Sequence, residues 1–328
     1  ELHIIYMDTA VANTVLSPAQ ESEASGLTES PLHFLPVTQE AMDGIMPFFE
    51  KENGRTTDFS YGGLLMWVDY FKYEYCIYRD TLFIKGLVED NTSLPAFSLP
   101  IGALPFSEAV GLIAGYCREN GIEMVFSAIP EYAVEAFRLL NPKKISLLEY
   151  WGDYMYPIEA LASLKGKKLG KKRNHINKFI AENPDAEVKA LTSENASKAM
   201  RFMETYDAEA DGAPMEMIES CLTRKMINYV AQGDRHLEGI ILESGGRTVG
   251  FSIGDIKGDT LYVHIEKATR NTNGSYEAVN KAFASRMLEL HPELVYVNRE
   301  DDGGDEGLRQ AKRSYHPIEV LKKYNIVF

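Results

Sequence analysis

The sequence predicts an α+β fold made of two copies of one unit. Two observations carry this reading. Helix-like and strand-like segments follow one another in the same order in both halves: helices, a hairpin, a strand, a helix, a strand and a helix. The chain's 328 residues, 45% hydrophobic and 25% charged, have a globular composition and exceed what one ordinary core uses. Residue identity between the halves is too weak to prove duplication.

Residues 1–31 are polar and rich in small residues (SPAQESEASGLTES) and read as a disordered extension, with Met7 as an alternative start. A helix opens at Thr38, with Ala41, Ile45, Met46, Phe48 and Phe49 at helical spacing. Residues 61–71 read as a second helix. Residues 73–78 and 81–87 are aromatic and β-branched runs joined by Arg79-Asp80, a hairpin pattern. A strand at 96–101, an amphipathic helix at 106–119 ended by Asn120-Gly121, a strand at 123–129 and a helix at 130–140 complete the first half. In the second half, runs at 237–243 and 248–256 flank Ser244-Gly245-Gly246 as a hairpin, and a strand follows at 261–265. A helix at 275–290 places Tyr276, Val279, Phe283, Met287 and Leu290 on one face; then come a strand at 294–298 and a helix from Asp305 to about Tyr315.

Composition excludes several classes. No apolar run reaches the 18 or more residues of a membrane-spanning helix, and no signal-peptide pattern opens the sequence, so a cytoplasmic protein is expected. Cys76, Cys117 and Cys221 are too far apart for a disulfide framework or a CxxC zinc site, and read as small buried hydrophobes. P-loop, HExxH, GxSxG and strand-borne GxGxxG patterns are missing. The formal charge is −14, which disfavours DNA as a partner. Yet Lys165, Lys167, Lys168, Lys171, Lys172, Arg173 and Lys178 fall within fourteen residues that contain no acid. Like charges so dense suit an anionic partner, such as RNA phosphate, the pyrophosphate of a nucleotide cofactor or the protein's own acidic surface, or else a solvated charge run.

Three further segments carry candidate chemistry. At 265–276 (IEKATRNTNGSY) a strand ends, an irregular loop follows and a helix begins, which aims free N–H groups and the positive helix end outward. Phosphate is one occupant for that place, with Gly274 allowing close approach and Arg270 adding charge; an ordinary strand-to-helix turn is the alternative. On the preceding strand, alternation places His264 and Glu266 on one face. Glu266, if buried, suits a general base, unless it is spent in an ion pair. At 298–317 (NREDDGGDEGLRQAKRSYHP) the acidic loop does not match an EF-hand, and Asp305 is a helix N-cap. We expect no metal there, and instead either an internal salt-bridge network that positions Arg299 or Tyr315, or a solvated charged loop.

These stretches resemble a known family. KGKKLGKKRNHINKF (165–179), HIEKA (264–268), GSYEAVNKAF (274–283), the 298–317 segment and TTDFSYGGLLMW (56–67) are similar to an uncharacterised bacterial family related to the C-terminal domain of phosphatidylglycerol lysyltransferase. The resemblance covers 32–328. It implies two tandem GNAT-like (acyl-CoA N-acyltransferase) domains, at 32–150 and 151–328, each a mixed, mainly antiparallel sheet flanked by helices. The site would lie in the second domain, facing the domain interface. In such folds the loop after the central strand binds the pyrophosphate of coenzyme A, which here falls on Arg270, Asn273, Gly274, Ser275 and Tyr276. The sequence departs from the acetyltransferase signature: the glycine comes four residues after Arg270, not three, and Tyr276 stands at the final small position. The donor therefore stays open between coenzyme A or acyl-CoA and aminoacyl-tRNA. The resemblance implies acyl or aminoacyl transfer to an amine or hydroxyl. Glu266 or Asp301 would take the acceptor's proton, Tyr315 would protonate the leaving group, and Arg299 with Lys171, Lys172 and Arg173 would hold the anionic donor. The alternative is a non-catalytic module that binds RNA or a nucleotide ligand. The membrane region of lysyltransferases proper has no counterpart in this sequence, so integral membrane association is not expected.

Overall fold

The computed structural model describes residues 30–209 and 214–328, so all but the last two residues of the expected extension at 1–31 lie outside the described residues. In the first half, strands β1 (Leu35–Pro36), β2 (Glu74–Tyr78), β3 (Thr81–Val88), β4 (Asn91–Phe97), β5 (Ile101–Gly102), β6 (Val125–Pro130) and β7 (Lys144–Leu147) accompany helices α1 (Met42–Phe49), α2 (Tyr61–Phe71), α3 (Phe106–Asn120) and α4 (Val134–Arg138). In the second, β8 (Asp153–Pro157), β9 (Glu187–Ala190), β10 (Leu237–Ser244), β11 (Arg247–Lys257), β12 (Thr260–Ala268), β13 (Tyr296–Asn298) and β14 (Glu319–Leu321) accompany α5 (Ile158–Ser163), α6 (Gly170–Glu182), α7 (Ala196–Ala208), α8 (Pro214–Ala231), α9 (Ser275–Leu290) and α10 (Glu306–Arg313). A last strand, β15 (Lys323–Val327), ends the chain.

Local chemistry explains the boundaries. Ser60 caps α2 by accepting a hydrogen bond from the Gly63 N–H. Gly121, at φ 63°, closes α3 in the left-handed conformation. The strand expected at 96–101 is two strands, because Pro100 has no N–H to continue the ladder. The helix expected at 130–140 is a 3₁₀ turn at Glu131–Ala133 followed by the short α4, stopped by Asn141 at φ 56° ahead of Pro142. Cys76 and Cys117 are buried as expected, but Cys221 is exposed on α8.

Two sheets result. The first runs β1-β2-β3-β4-β6-β15-β7, with β5 on the edge of β3; the second runs β14-β8-β13-β12-β11-β10-β9. Their order reveals a reciprocal exchange. β8, which follows β7 in the chain, leaves the first sheet and inserts between β13 and β14. β15, which follows β14, leaves the second sheet and inserts antiparallel between β6 and β7. A linear division at residue 150 is therefore crossed by the last strand, which belongs to the first sheet.

The exchanged strands begin side by side. Lys323, the first residue of β15, places its ammonium 2.9 Å from Asp153, the first residue of β8, and 2.8 Å from Asp58. Burial disfavours the charge on Lys323, but the Asp153 and Asp58 carboxylates outweigh it and hold its pKa well above the ordinary value. The apolar core also crosses between halves. Ile45, Phe49 and Leu65 of the first half pack in one cluster with Met203, Met226 and Phe251 of the second. Separate clusters lie under α3 (Phe83, Phe126, Phe137, Ile326) and between α9 and the second sheet (Tyr156, Phe179, Phe283, Met287).

Replacing Lys323 with Met would leave Asp153 and Asp58 buried without their cation. We expect unfolding free energy in urea to fall by about 3–5 kcal/mol, as for other broken buried pairs. Unchanged stability would mean the pair is not what fastens the exchanged strands.

Candidate active site

The site forms where two central strands part. β12 and β13 run parallel and are paired only over Thr260–Tyr262 and Tyr296–Asn298; beyond this they diverge. Opposite β11, a register shift at Ile253/Gly254 leaves His264 as an extra residue on β12. This bulge corrects the expectation that His264 and Glu266 share a face. It turns His264 toward the first half of the chain and leaves Glu266 facing α6, α9 and α10. Each then bridges the gap on its own side, Glu266 to Arg299 and His264 to Glu300.

On the first side, Glu266 accepts hydrogen bonds from Arg299 Nη2 and from Asn280 Nδ2, both at 2.8 Å. The Arg299 guanidinium lies 4.8 Å from the Tyr315 ring centre and 5.7 Å from that of Tyr156. Lys172 reaches in from α6, 4.2 Å from the Tyr315 ring centre, and pairs with Glu277 at 3.2 Å. Two buried polar atoms here, Arg299 Nη1 and Asn280 Oδ1, have no hydrogen-bond partner among the described residues. They offer one donor and one acceptor beside the Glu266 carboxylate. Burial pushes the Tyr315 hydroxyl well above its ordinary pKa, so it stays a proton donor.

On the other side, His264 is fully buried and donates from Nδ1 to Glu300 at 2.7 Å and from Nε2 to Asp255. Asp255 in turn accepts from the Gly62 N–H at 2.8 Å and the Tyr61 N–H at 3.3 Å, the first turn of α2. Burial works against the imidazolium, but the Asp255 and Glu300 carboxylates raise its pKa to about 10.

The expected cofactor-binding residues do not converge on one loop surface. Gly274, at φ 79°, lies where a Cβ would collide with the His175 carbonyl of α6, and Ser275 is buried and donates to the Thr269 carbonyl. The first turn of α9 thus faces protein, and carries its own carboxylate, Glu277, held by Lys172 and by His175 at 3.0 Å. Burial opposes that charge, but these two partners lower the Glu277 pKa. Arg270 turns away to the Glu209 carbonyl and the Tyr206 ring, and Tyr276 hydrogen-bonds Tyr206 at 2.9 Å. Asn273 is exposed. Arg173 caps α5 by donating to the Leu164 and Gly166 carbonyls, so only Lys172 of the basic trio enters the site, while Lys171 stays in solvent.

Glu266, Arg299 and Tyr315 come together as one group; Asp301 does not join them. It lies near Lys312, Lys323, Asp153 and Glu300, where burial raises its pKa to about 6, and one of its oxygens accepts the Gly303 N–H. The acidic loop is an internal network. Arg309 grips Asp302 with two hydrogen bonds, Tyr154 donates to the same carboxylate, Lys312 donates to the Arg299 and Asp301 carbonyls, and Asp305 caps α10. Among the described residues no cluster of His, Cys, Asp and Glu is arranged to hold a metal.

Sequence reasoning missed Asn280, Asp255 and Glu300 as site residues. Asn280 had a signal: it sits on the inward face of α9 beside Val279 and Phe283. Asp255 was likewise a lone acid in an apolar strand.

The architecture is α+β, with two mixed, mainly antiparallel sheets flanked by helices. Residues 51–327 match the family described as phosphatidylglycerol lysyltransferase, C-terminal, and the chain belongs to that family. A conserved protein of unknown function from Bacteroides thetaiotaomicron VPI-5482 is 27% identical, with a TM-score of 0.80 over 90% of this chain and 99% of that one. L-PGS from Bacillus licheniformis shares the fold at 14% identity and a TM-score of 0.60, over 87% of this chain and 91% of that one. FemX does so at 10% identity and a TM-score of 0.56, over 90% of this chain and 98% of its own. An uncharacterised protein of Mycoplasmoides gallisepticum is 25% identical over 174 residues, 52% of this chain; the chain spans about half, 54%, of that relative's length. No helix among the described residues is long and apolar enough to cross a membrane.

Two expectations follow from this geometry. Replacing Gly274 with Ala forces a Cβ against the His175 carbonyl at a positive φ, and should lower the melting temperature by several degrees. His264 has a raised folded-state pKa, so its stabilising contribution is full below about pH 6.5, the unfolded value, and is lost as pH rises through about 10. Denaturation at pH 6 and pH 10 should show that loss in the wild type and a smaller one in His264→Gln.

Proposed function

We propose that this protein transfers an aminoacyl group from aminoacyl-tRNA to an amine or hydroxyl acceptor. The family supports a transferase, and the observation that carries the donor is the basic segment. Lys165, Lys167, Lys168 and Lys171 are exposed and have no acidic partner among the described residues, and the next residue, Lys172, reaches the Tyr315 ring inside the site. A phosphate backbone laid along those lysines would bring its terminal ester toward Arg299. The closed first turn of α9, filled by Glu277, speaks against a coenzyme A pyrophosphate there.

In this reading Arg299 Nη1 receives the acyl oxygen and stabilises the negative charge it gains as the acceptor attacks. Tyr315 gives a proton to the departing ester oxygen, and Glu266 with Asn280 fixes the guanidinium rather than acting as base, because both its oxygens are occupied. That same occupancy favours a second reading, a non-catalytic module that binds RNA with this surface.

Replacing Lys165, Lys167, Lys168 and Lys171 together with Ala should weaken tRNA binding and reduce the salt slope, −dlogK/dlog[salt], by about 3. Arg299→Ala should abolish aminoacyl transfer while leaving tRNA affinity intact; binding without transfer in the wild type would select the second reading. Coenzyme A should leave the melting temperature unchanged, whereas a ligand at about 100 times its Kd would add about 2.7 kcal/mol. A saturable shift with coenzyme A would move the donor to a thioester.

A further inference from the structure

We infer that Glu300 takes the proton from the acceptor's amine or hydroxyl, with His264 and Asp255 as the residues that position it; this rests on the transfer reaction proposed above. The carboxylates at the gap between β12 and β13 differ in how their oxygens are partnered. Glu266 has no oxygen to spare, since Arg299 and Asn280 hold one each. Asp301 accepts the Gly303 N–H on Oδ1 and is set aside by its place instead, among Lys312, Lys323 and Asp153 and apart from Glu266, Arg299 and Tyr315. Glu300 uses only Oε1, which accepts from His264 Nδ1 at 2.7 Å and from Thr57 Oγ1 at 3.3 Å. Its Oε2 has no hydrogen-bond partner among the described residues, and the side chain keeps 18% of its surface exposed.

Everything around Glu300 fixes that orientation. Its backbone is left-handed, at φ 56°, an unfavourable conformation for a residue with a side chain. It is held there from both ends, by the Asn298 side chain accepting the Glu300 N–H at 2.7 Å and by the Tyr154 N–H donating to the Glu300 carbonyl at 3.1 Å. Strain retained by surrounding contacts is a feature of functional positions. His264 behind it cannot swing away, because Gly62 packs so closely that a Cβ there would strike the ring. Its other nitrogen is tied to Asp255, and Asp255 to the start of α2. A helix of the first domain thus aims a carboxylate of the second.

His264 is not placed to act as the base, since its two ring nitrogens are engaged by carboxylates, Nδ1 by Glu300 and Nε2 by Asp255, and neither is left to face the gap. The charged groups that face Glu300 are His264 from β12, Asp301 from its own loop and Lys312 from α10, with Thr57 contributing a hydroxyl. The step balances. The acceptor's nitrogen or oxygen forms a bond to the acyl carbon, the ester C–O bond of the donor breaks, the acceptor's proton passes to Glu300 Oε2, and the leaving oxygen gains the Tyr315 proton. Donor and acceptor would meet in the gap from its opposite sides, since Arg299 and Glu300 line different faces of the parted strands.

The test pairs kinetics with spectroscopy. With aminoacyl-tRNA and an amine acceptor, Glu300→Gln should lower kcat by about 10²–10⁴-fold at unchanged tRNA affinity, and Glu300→Asp should retain part of the rate. In ¹⁵N spectra of the wild-type protein, the His264 ring, identified by its loss in His264→Gln, should remain an imidazolium at pH 8.5. Wild-type transfer with Glu300→Gln within about threefold of it overturns this assignment and spares the reaction. A neutral His264 ring at pH 8.5 also overturns it, whatever Glu300→Gln does to folding. A wild-type protein that binds tRNA and transfers nothing removes the reaction and this assignment together.

Discussion

The buried contact of Lys323 with Asp153 and Asp58 is the constraint on which the rest of the structure depends. It marks the point where the two sheets trade strands, β8 entering the second and β15 the first. A charge taken out of water must be matched closely or its burial is strongly unfavourable. Here one ammonium meets two carboxylates, one of which, Asp153, also accepts the Thr57 N–H and the Asn298 amide. The same cluster therefore ties the turn before α2, the end of β13 and both exchanged strands to one place.

That place adjoins the gap in the second sheet. Parallel strands β12 and β13 separate just after Asn298, whose side chain is held by Asp153 and by the Arg55 carbonyl. The residues that follow, Arg299 and Glu300, enter the gap from a strand end that the domain interface fixes. The two sides differ in their electrostatic balance. Arg299 is matched to Glu266 and Lys172 to Glu277, so the first side is neutral overall yet keeps one unpaired donor. On the second side a single imidazolium lies between two carboxylates, leaving the group with net negative charge. In the proposed reaction an acyl oxygen would be received on the first side and a proton donor on the second.

The helices, hairpins and second-half strands were legible where apolar periodicity was strong. The turns at Arg79-Asp80 and Ser244-Gly245-Gly246 fell where hairpins were expected, with Arg79, Asp80, Gly245 and Gly246 at positive φ, and Asp305 caps its helix. The region 151–236 was mostly unread, although α7 and α8 lie in it, because their polar faces dilute the apolar period. The His264 bulge was invisible: alternation assumes an unbroken ladder, and nothing in HIEKA shows that the neighbouring strand slips by one residue. The basic run was legible as charge, but not the division of labour within it, where Arg173 caps a helix, Lys172 enters the site and Lys171 stays in water.

By itself, the sequence determined the α+β class, the repeated order of elements and the residue types gathered at 264–268 and 298–317, because propensity and periodicity are local properties of the chain. Tertiary structure alone decided which strands were exchanged, which face His264 took and how the oxygens of each carboxylate were partnered. Those outcomes depend on pairing register and on partners such as Thr57, Gly62 and Asp255, brought from distant parts of the chain. No local pattern encodes whether a given oxygen will meet one donor, two or none.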